Sequence, residues 1–320
     1  MRMAVLGAGS IGLLLSGRLA EAGANVTLLC RTEAQAQRIA ADGVEVRAAD
    51  GVAKRIRLPA APAVRRDGTA FAAARPADWV LLAFKQTHWD DALLAALAHA
   101  AASGAKLVCF QNGLGHLERL AAAGVPPERT YVAVTTEAAR REAANVVTHT
   151  GAGTTRLGSA DRSAPLDALR PLAERLAAAG FAVAVEPDIA RFVWRKLLVN
   201  AAINPLTALF GVRNGELAAS KPYRRIMRAV LGEALAVAEA AGLEPEPEAD
   251  AWRQVLDVCA RTAANDSSML QDVRAGRETE IESITGALLR EAAARGVPAP
   301  VNEAVYRLVK ACSERQAGRG

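Results

Sequence analysis

A chain of 320 residues exceeds what one compact core usually supports, so two domains are expected. Apolar residues make up 51% of it but aromatics only 4%, and no apolar run reaches the roughly 20 residues of a membrane-spanning helix. The net charge of +5 rests on arginines spread along the chain, with few lysines (Lys54, Lys85, Lys106, Lys196, Lys221, Lys310) and no dense basic run of the kind that marks a nucleic-acid surface.

The chain opens on MRMAVLGAGSIG, an apolar strand entering a glycine turn rather than a basic-then-apolar leader, so a cytoplasmic protein is expected. A helix is predicted from about Ile11 to Ala22, then a buried strand NVTLLC from Asn25 and a helix from about Thr32. The polar-alternating VEVRAADG and RIRLPA have the pattern of an antiparallel excursion. WVLLAF at Trp79 to Phe84 and KLVCF at Lys106 to Phe110 are further apolar strands, each running into a polar loop. TYVAVTTEAA, NVVTHTGAG, TTRLG and FAVAVEP extend the β signal to about Glu186. Strands alternating with helices imply an α/β domain with a mostly parallel, doubly wound sheet of Rossmann type.

From Asp188 the strand signal vanishes. Helical patterns cover Ile189 to Phe210, Pro222 to Gly242, a segment around Trp252 to Ala264, Glu280 to Arg295, and the chain from about Val301. The division is therefore placed at Pro187, giving an α/β nucleotide-binding domain over 1–187 and an all-α substrate and catalytic domain over 188–320. A cleft between two such domains is the usual place for a ligand.

The cysteines (Cys30, Cys109, Cys259, Cys312) and histidines (His88, His99, His116, His149) are scattered, with no C-x-x-C pair and no metal-type cluster. No metal is expected, and the cysteines read as small buried hydrophobes.

Gly7, Gly9 and Gly12 form G-x-G-x-x-G directly after a strand and before a helix. The first glycine allows the tight turn, the second lets a pyrophosphate approach the backbone, and the third lets helix and strand pack closely. The helix N-terminus offers unpaired N–H groups to the phosphates. Ala8, Ser10 and Ile11 complete this cofactor turn. The second strand ends in Arg31, where NAD-binding chains usually carry a carboxylate; a guanidinium there either binds the 2′-phosphate of NADP(H) or is a solvated loop residue.

In WRKLLVNAAINPLTALF, Lys196, Asn200 and Asn204 recur at i, i+4 and i+8, a polar stripe on an otherwise apolar helix. Pro205 disfavours α geometry at Asn204 and removes the donor for the Ala201 carbonyl, so a kink is expected there. A partly desolvated Lys196 would donate a proton near neutral pH, as carbonyl reduction requires; the plain alternative is a lysine stretched along the surface. SSMLQDVRAGRETEIE brings Ser267, Ser268, Gln271, Asp272 and Arg274 before a helix whose first turn is expected to hold Glu280. Glu280 reads equally as a favourable helix start or as a partner for Lys196.

GAGSIG, Arg31, Lys85 after WVLLAF, QNGLG at Gln111 to Gly115, WRKLLVNAAINPLTAL, RNGEL and SSMLQDVRAGRETEIE together resemble the ketopantoate reductase (2-dehydropantoate 2-reductase) family, in the 6-phosphogluconate dehydrogenase-like group, over essentially the whole chain. The resemblance implies hydride delivery from NADPH to the C2 carbonyl of ketopantoate, giving pantoate for pantothenate biosynthesis. It makes Lys196 the general acid, with Glu280 orienting it and also bordering the cofactor. Asn200, Asn204 and Asn214 would bind the substrate hydroxyl and nearby oxygens, and Ser268 the carboxylate. Lys85, Asn112 and Ala138 would line the nicotinamide half, with Asn112 also near substrate and Lys85 also near the 2′-phosphate.

The chain departs from the family pattern at Gln86, where a small or β-branched residue is usual, and at Glu137, where an aromatic or histidine is more frequent. Glu137 either sets a negative charge near an anionic substrate or faces solvent. Two further readings are a related reductase of another 2-oxo acid and an NADP(H)-binding regulator without chemistry; the Lys196 and Glu280 pair argues against the second. The expected partner is a small 2-oxo acid, not nucleic acid or membrane, and the chain is read as a monomer or homodimer.

Overall fold

A computed structural model describes residues 1–63 and 77–317 of the chain. Strand β1 (Arg2–Leu6) is buried from Met3 onward and leads through the glycine turn into α1 (Ser10–Glu21). There follow β2 (Asn25–Cys30), α2 (Glu33–Asp42), β3 (Val44–Arg47), β4 (Ala53–Ile56) and β5 (Ala60–Pro62). Next come β6 (Trp79–Leu82), α3 (Asp91–Ala102), β7 (Lys106–Cys109), α4 (His116–Ala122), β8 (Thr130–Thr135), β9 (Ala138–Ala143), β10 (Val146–Gly151) and β11 (Thr154–Ser159). Helix α5 (Arg170–Ala178) and β12 (Ala182–Val185) complete the α/β half.

The main sheet has the order β12-β11-β8-β7-β6-β1-β2-β5. All its pairings are parallel except β8 with β11. Parallel strands lie under helices on both faces and so read as continuous apolar runs, as Trp79–Leu82 does with every residue buried. A second sheet, β4-β3-β10-β9, holds the antiparallel excursion: β3 pairs antiparallel with β4, and β10 antiparallel with β9 but parallel with β3. It packs on α1, where a Cβ on Gly17 would come within 2.6 Å of Val46.

Beyond β12 the described residues hold no strand. Helix α6 (Ile189–Phe210) is followed by α7 (Asn214–Ala219), α8 (Lys221–Ala240), α9 (Glu248–Arg261), α10 (Ser268–Arg274), α11 (Thr285–Arg295) and α12 (Pro300–Ala317). Two sequence expectations are corrected here. Helix α11 begins at Thr285, and Glu280 sits in the preceding turn, not in a first helical turn. That turn is closed by the Ser283 and Ile284 N–H groups donating to the Glu280 carbonyl, an arrangement that apolar periodicity alone does not separate from helix. Pro205 does not end α geometry at Asn204, because α6 is helical throughout. Leu197, Leu198, Ala201, Ala202, Ile203 and Leu206 are all buried around it, and burial of that face outweighs one missing hydrogen bond.

The chain divides into two compact units: residues 1–111 with 116–192, and residues 112–115 with 193–320. The division falls inside α6, beyond Pro187, because the first turn of that helix belongs with the sheet: the Ile189 side chain lies where a Cβ on Gly158 would be, and Arg156 stacks over Phe192 at 4.4 Å. The four residues Asn112–Gly115, which follow β7 in sequence, group with the helices. Their backbone is held there by the Leu114 N–H donating to the Ser283 carbonyl at 2.9 Å. Gly113 has φ +79° and packs so closely on Ser283 that a Cβ would lie 1.9 Å from its carbonyl oxygen. Each unit has its own apolar interior.

Candidate active site

The candidate residues fall into one set in each unit. In the α/β unit, Gly7 has φ +108°, and a Cβ there would press on Phe84 at 2.8 Å. A Cβ on Gly12 would lie 1.7 Å from the Gly7 carbonyl oxygen, so both outer glycines are demanded by the protein's own packing. Gly9 differs. Its φ of −82° suits any residue, and a Cβ would meet nothing nearer than the Ala83 carbonyl at 3.9 Å. The fold does not require glycine there, which leaves a ligand approaching the backbone as the physical reason for it.

Helix α1 starts at this point with no side-chain cap and no acidic residue in its first turn. Its leading N–H groups and positive dipole end suit a phosphate. Ala8 is buried, and Ser10 and Ile11 are half-buried at the mouth of the turn. Arg31 is exposed directly beyond β2. Lys85, the residue after Phe84, is half-buried, as is Ala138 at the start of β9.

Two residues the sequence reading passed over also reach the turn. Gln35 on α2 donates Nε2 to the Ala8 carbonyl at 3.0 Å and to the Ala144 carbonyl at 2.8 Å. Arg141 on β9 donates its backbone N–H to Ser10 Oγ at 3.1 Å and Nη1 to the Ala8 carbonyl at 3.4 Å. No spacing rule joins residue 141 to residue 8; the excursion into the second sheet makes the contact. Glu137, expected either to charge the site or to face solvent, does not face solvent. Its side chain is 5% exposed and meets His149 Nε2 at 2.6 Å, and His149 Nδ1 in turn lies 2.9 Å from Arg18. The carboxylate is thus matched within its own unit.

In the helical unit, Lys196 and Asn200 are half-buried on α6, and Asn204 is buried one turn further on. Burial pushes the Lys196 ammonium down to about 8, while the nearby Glu280 carboxylate pulls the other way. Glu280 is 5% exposed and accepts from Asn112 Nδ2 at 3.4 Å. Lys196, Glu280 and Asn112 are therefore brought together from α6, the turn before α11 and the 112–115 segment.

Asn214, buried at the start of α7, donates Nδ2 to Thr262 Oγ1 at 2.9 Å, while its Oδ1 is buried without a protein partner. Such an oxygen is suited to accept from a hydroxyl group. Of the two serines, Ser267 is the buried one. It caps α10, accepting from Leu270 N–H at 3.1 Å, and bonds Thr207 Oγ1 at 2.7 Å. Ser268 is exposed at the first position of α10. Asp272 pairs with Arg277 at 3.1 Å, and Arg274 with Asp266, so these charges are tied to one another.

A glycine turn on a Rossmann-type sheet, followed by helices that partly desolvate a lysine beside a carboxylate, is the plan of a dinucleotide-dependent oxidoreductase. The family model described as ketopantoate reductase PanE/ApbA matches residues 3–162, and its C-terminal counterpart matches residues 188–313. The 2-dehydropantoate 2-reductase of Halobacterium salinarum is 36% identical over 97% of this chain and 98% of its own length. That of Bacillus subtilis is 33% identical over 97% of both. Among solved structures, the PanE/ApbA family ketopantoate reductase from Ralstonia eutropha superposes with a TM-score of 0.84 at 28% identity, covering 99% of this chain and 100% of that one. The chain belongs to the ketopantoate reductase family.

Proposed function

We propose that the protein reduces 2-dehydropantoate (ketopantoate) to (R)-pantoate with NADPH, a step of pantothenate biosynthesis. The observation that carries this reading is the half-buried Lys196 beside Glu280, its ammonium pushed down to about 8 by desolvation, in a chain related along its length to 2-dehydropantoate 2-reductases. When bound, the nicotinamide supplies hydride to the C2 carbonyl carbon. As hydride arrives, the carbonyl oxygen gains negative charge, and Lys196 Nζ–H donates the proton that makes it a hydroxyl. Near pH 7 the ammonium is still largely protonated, yet burial has made it a better acid than a solvated lysine.

Glu280 keeps that ammonium charged and oriented, and Asn112 holds the Glu280 carboxylate by donating to it. Asn200 and Asn204, one and two turns along α6 from Lys196, bind the substrate's oxygens, and Asn214 Oδ1 accepts from its hydroxyl. Ser268, exposed at the N-terminal end of α10, binds the carboxylate. The cofactor side is supplied by Gly7–Gly12, with Arg31 on the 2′-phosphate and Lys85, Asn112 and Ala138 toward the nicotinamide. We place the substrate-binding residues on the unit formed by 193–320 together with the Asn112–Gly115 segment.

The test is NADPH oxidation with ketopantoate against a panel of 2-oxo acids. A preference of more than about tenfold in kcat/KM for another acid overturns the substrate assignment; about 1.4 kcal/mol of differential binding is enough to show it. An enzyme that oxidises NADPH with none of them overturns the reductase reading.

A further inference from the structure

We propose that Arg141, on β9 of the second sheet, is a phosphate-binding residue that grips the cofactor's pyrophosphate, a role distinct from that of Arg31 at the 2′-phosphate. The inference rests on the dinucleotide reading of the glycine turn. Arg141 touches that turn on both sides of Gly9: its guanidinium reaches the Ala8 carbonyl and its backbone N–H reaches Ser10 Oγ. Gly9 between them is the one glycine of the three that protein packing does not demand, and Arg141 is bonded to the residues on either side of it.

Strand alternation separates Arg141 from its neighbours. Arg140 and Glu142 share the other face of β9 and pair with each other at 2.8 Å, and Glu142 also accepts from Thr148. Ser10 Oγ accepts from Arg141, which leaves the hydroxyl proton to donate onward. The uncapped start of α1, the Ser10 hydroxyl and the Arg141 guanidinium therefore supply N–H and O–H donors along the same turn. A pyrophosphate, with acceptor oxygens on two phosphorus atoms, matches that set, and a guanidinium binds it with charge-assisted bonds. Arg31, beyond β2, belongs to a different strand end and answers to a different phosphate.

Titration calorimetry tests this on the full chain with NADP+, NAD+ and 2′-AMP, the last carrying the 2′-phosphate but no pyrophosphate. Arg141→Met is expected to weaken NADP+ and NAD+ together by about 10- to 100-fold, the range for a charge-assisted contact, and to leave 2′-AMP unchanged. Arg31→Met is expected to weaken NADP+ and 2′-AMP and spare NAD+, and Arg140→Met to weaken none. Arg141→Lys, which keeps the charge, is expected to fall between wild type and Arg141→Met. Arg141→Met binding NADP+ as wild type does, or losing NADP+ and 2′-AMP while keeping NAD+, overturns the assignment. A lysine variant no better than methionine also overturns it, since the guanidinium then acts only by holding the Ala8 carbonyl. A wild type that binds neither dinucleotide removes the dinucleotide reading as well, an outcome separate from all of these.

Discussion

Two opposing influences act on Lys196: burial favours the neutral amine, and the Glu280 carboxylate favours the ammonium. The donor form is the protonated one, so reduction should be at full rate below the pKa of about 8 and fall about tenfold per pH unit above it, with oxidation of the alcohol showing the opposite trend. A pH–rate profile of kcat checks this. Lys196→Ala should lower kcat by about 10²-fold or more and erase the break. Glu280→Gln removes the anion that holds the pKa up, so the break should move to lower pH and activity at pH 7 should drop even if folding is intact. At the cofactor, Arg31→Asp should raise KM for NADPH far more than for NADH; an unchanged ratio of kcat/KM would refute the 2′-phosphate role. The Lys196, Asn200, Asn204 stripe was legible in sequence because helix periodicity fixes which residues share a face. The His149 contact with Glu137 was not legible, since it depends on how β9 and β10 pair across a register shift.

Among the elements, the strand-turn-helix at the N-terminus was the most readable, because its glycines answer to local sterics. Gly12→Ala should open the turn against the Gly7 carbonyl, lowering both the melting temperature and dinucleotide affinity, whereas Gly9→Ala should lower affinity with little change in melting. Equal loss of stability in the two variants would contradict the distinction. Helix α10 is less legible in the sequence. At seven residues it is too short for a periodic pattern, and only the Thr207 hydroxyl bonded to Ser267 separates that cap from its neighbour Ser268. Ser267→Ala removes that cap and leaves the buried Thr207 without this bond, so it should cost about 1–2 kcal/mol in denaturant unfolding. Helix α6 has the ends its apolar pattern predicts, and it keeps α geometry through Asn204 and Pro205 with apolar packing on either side.

For the whole molecule, the alternation of strands and helices followed by helices alone was enough to give the α/β and all-α halves, and no helix among the described residues is long and apolar enough to cross a membrane. What linear reading could not supply is the membership of residues 112–115, because nothing in QNGLG says that a loop after β7 packs with helices some 170 residues away. Saturating NADP+ at 100 times its Kd should add about 2.7 kcal/mol to stability, with hydrogen exchange slowed most at Gly7–Gly12 and the end of β2. Slowing confined to α8 and α12 would contradict that placement. The 112–115 segment has a consequence for modular exchange. A chimera that moves only this chain's contiguous C-terminal stretch into a relative keeps Glu280 but meets the relative's own tetrapeptide in place of Asn112, Gly113, Leu114 and Gly115. Grafting succeeds only if the recipient's residue at 113 lacks a side chain and its residue at 112 can donate to the carboxylate, so the transplantable cassette is two pieces of chain, not one.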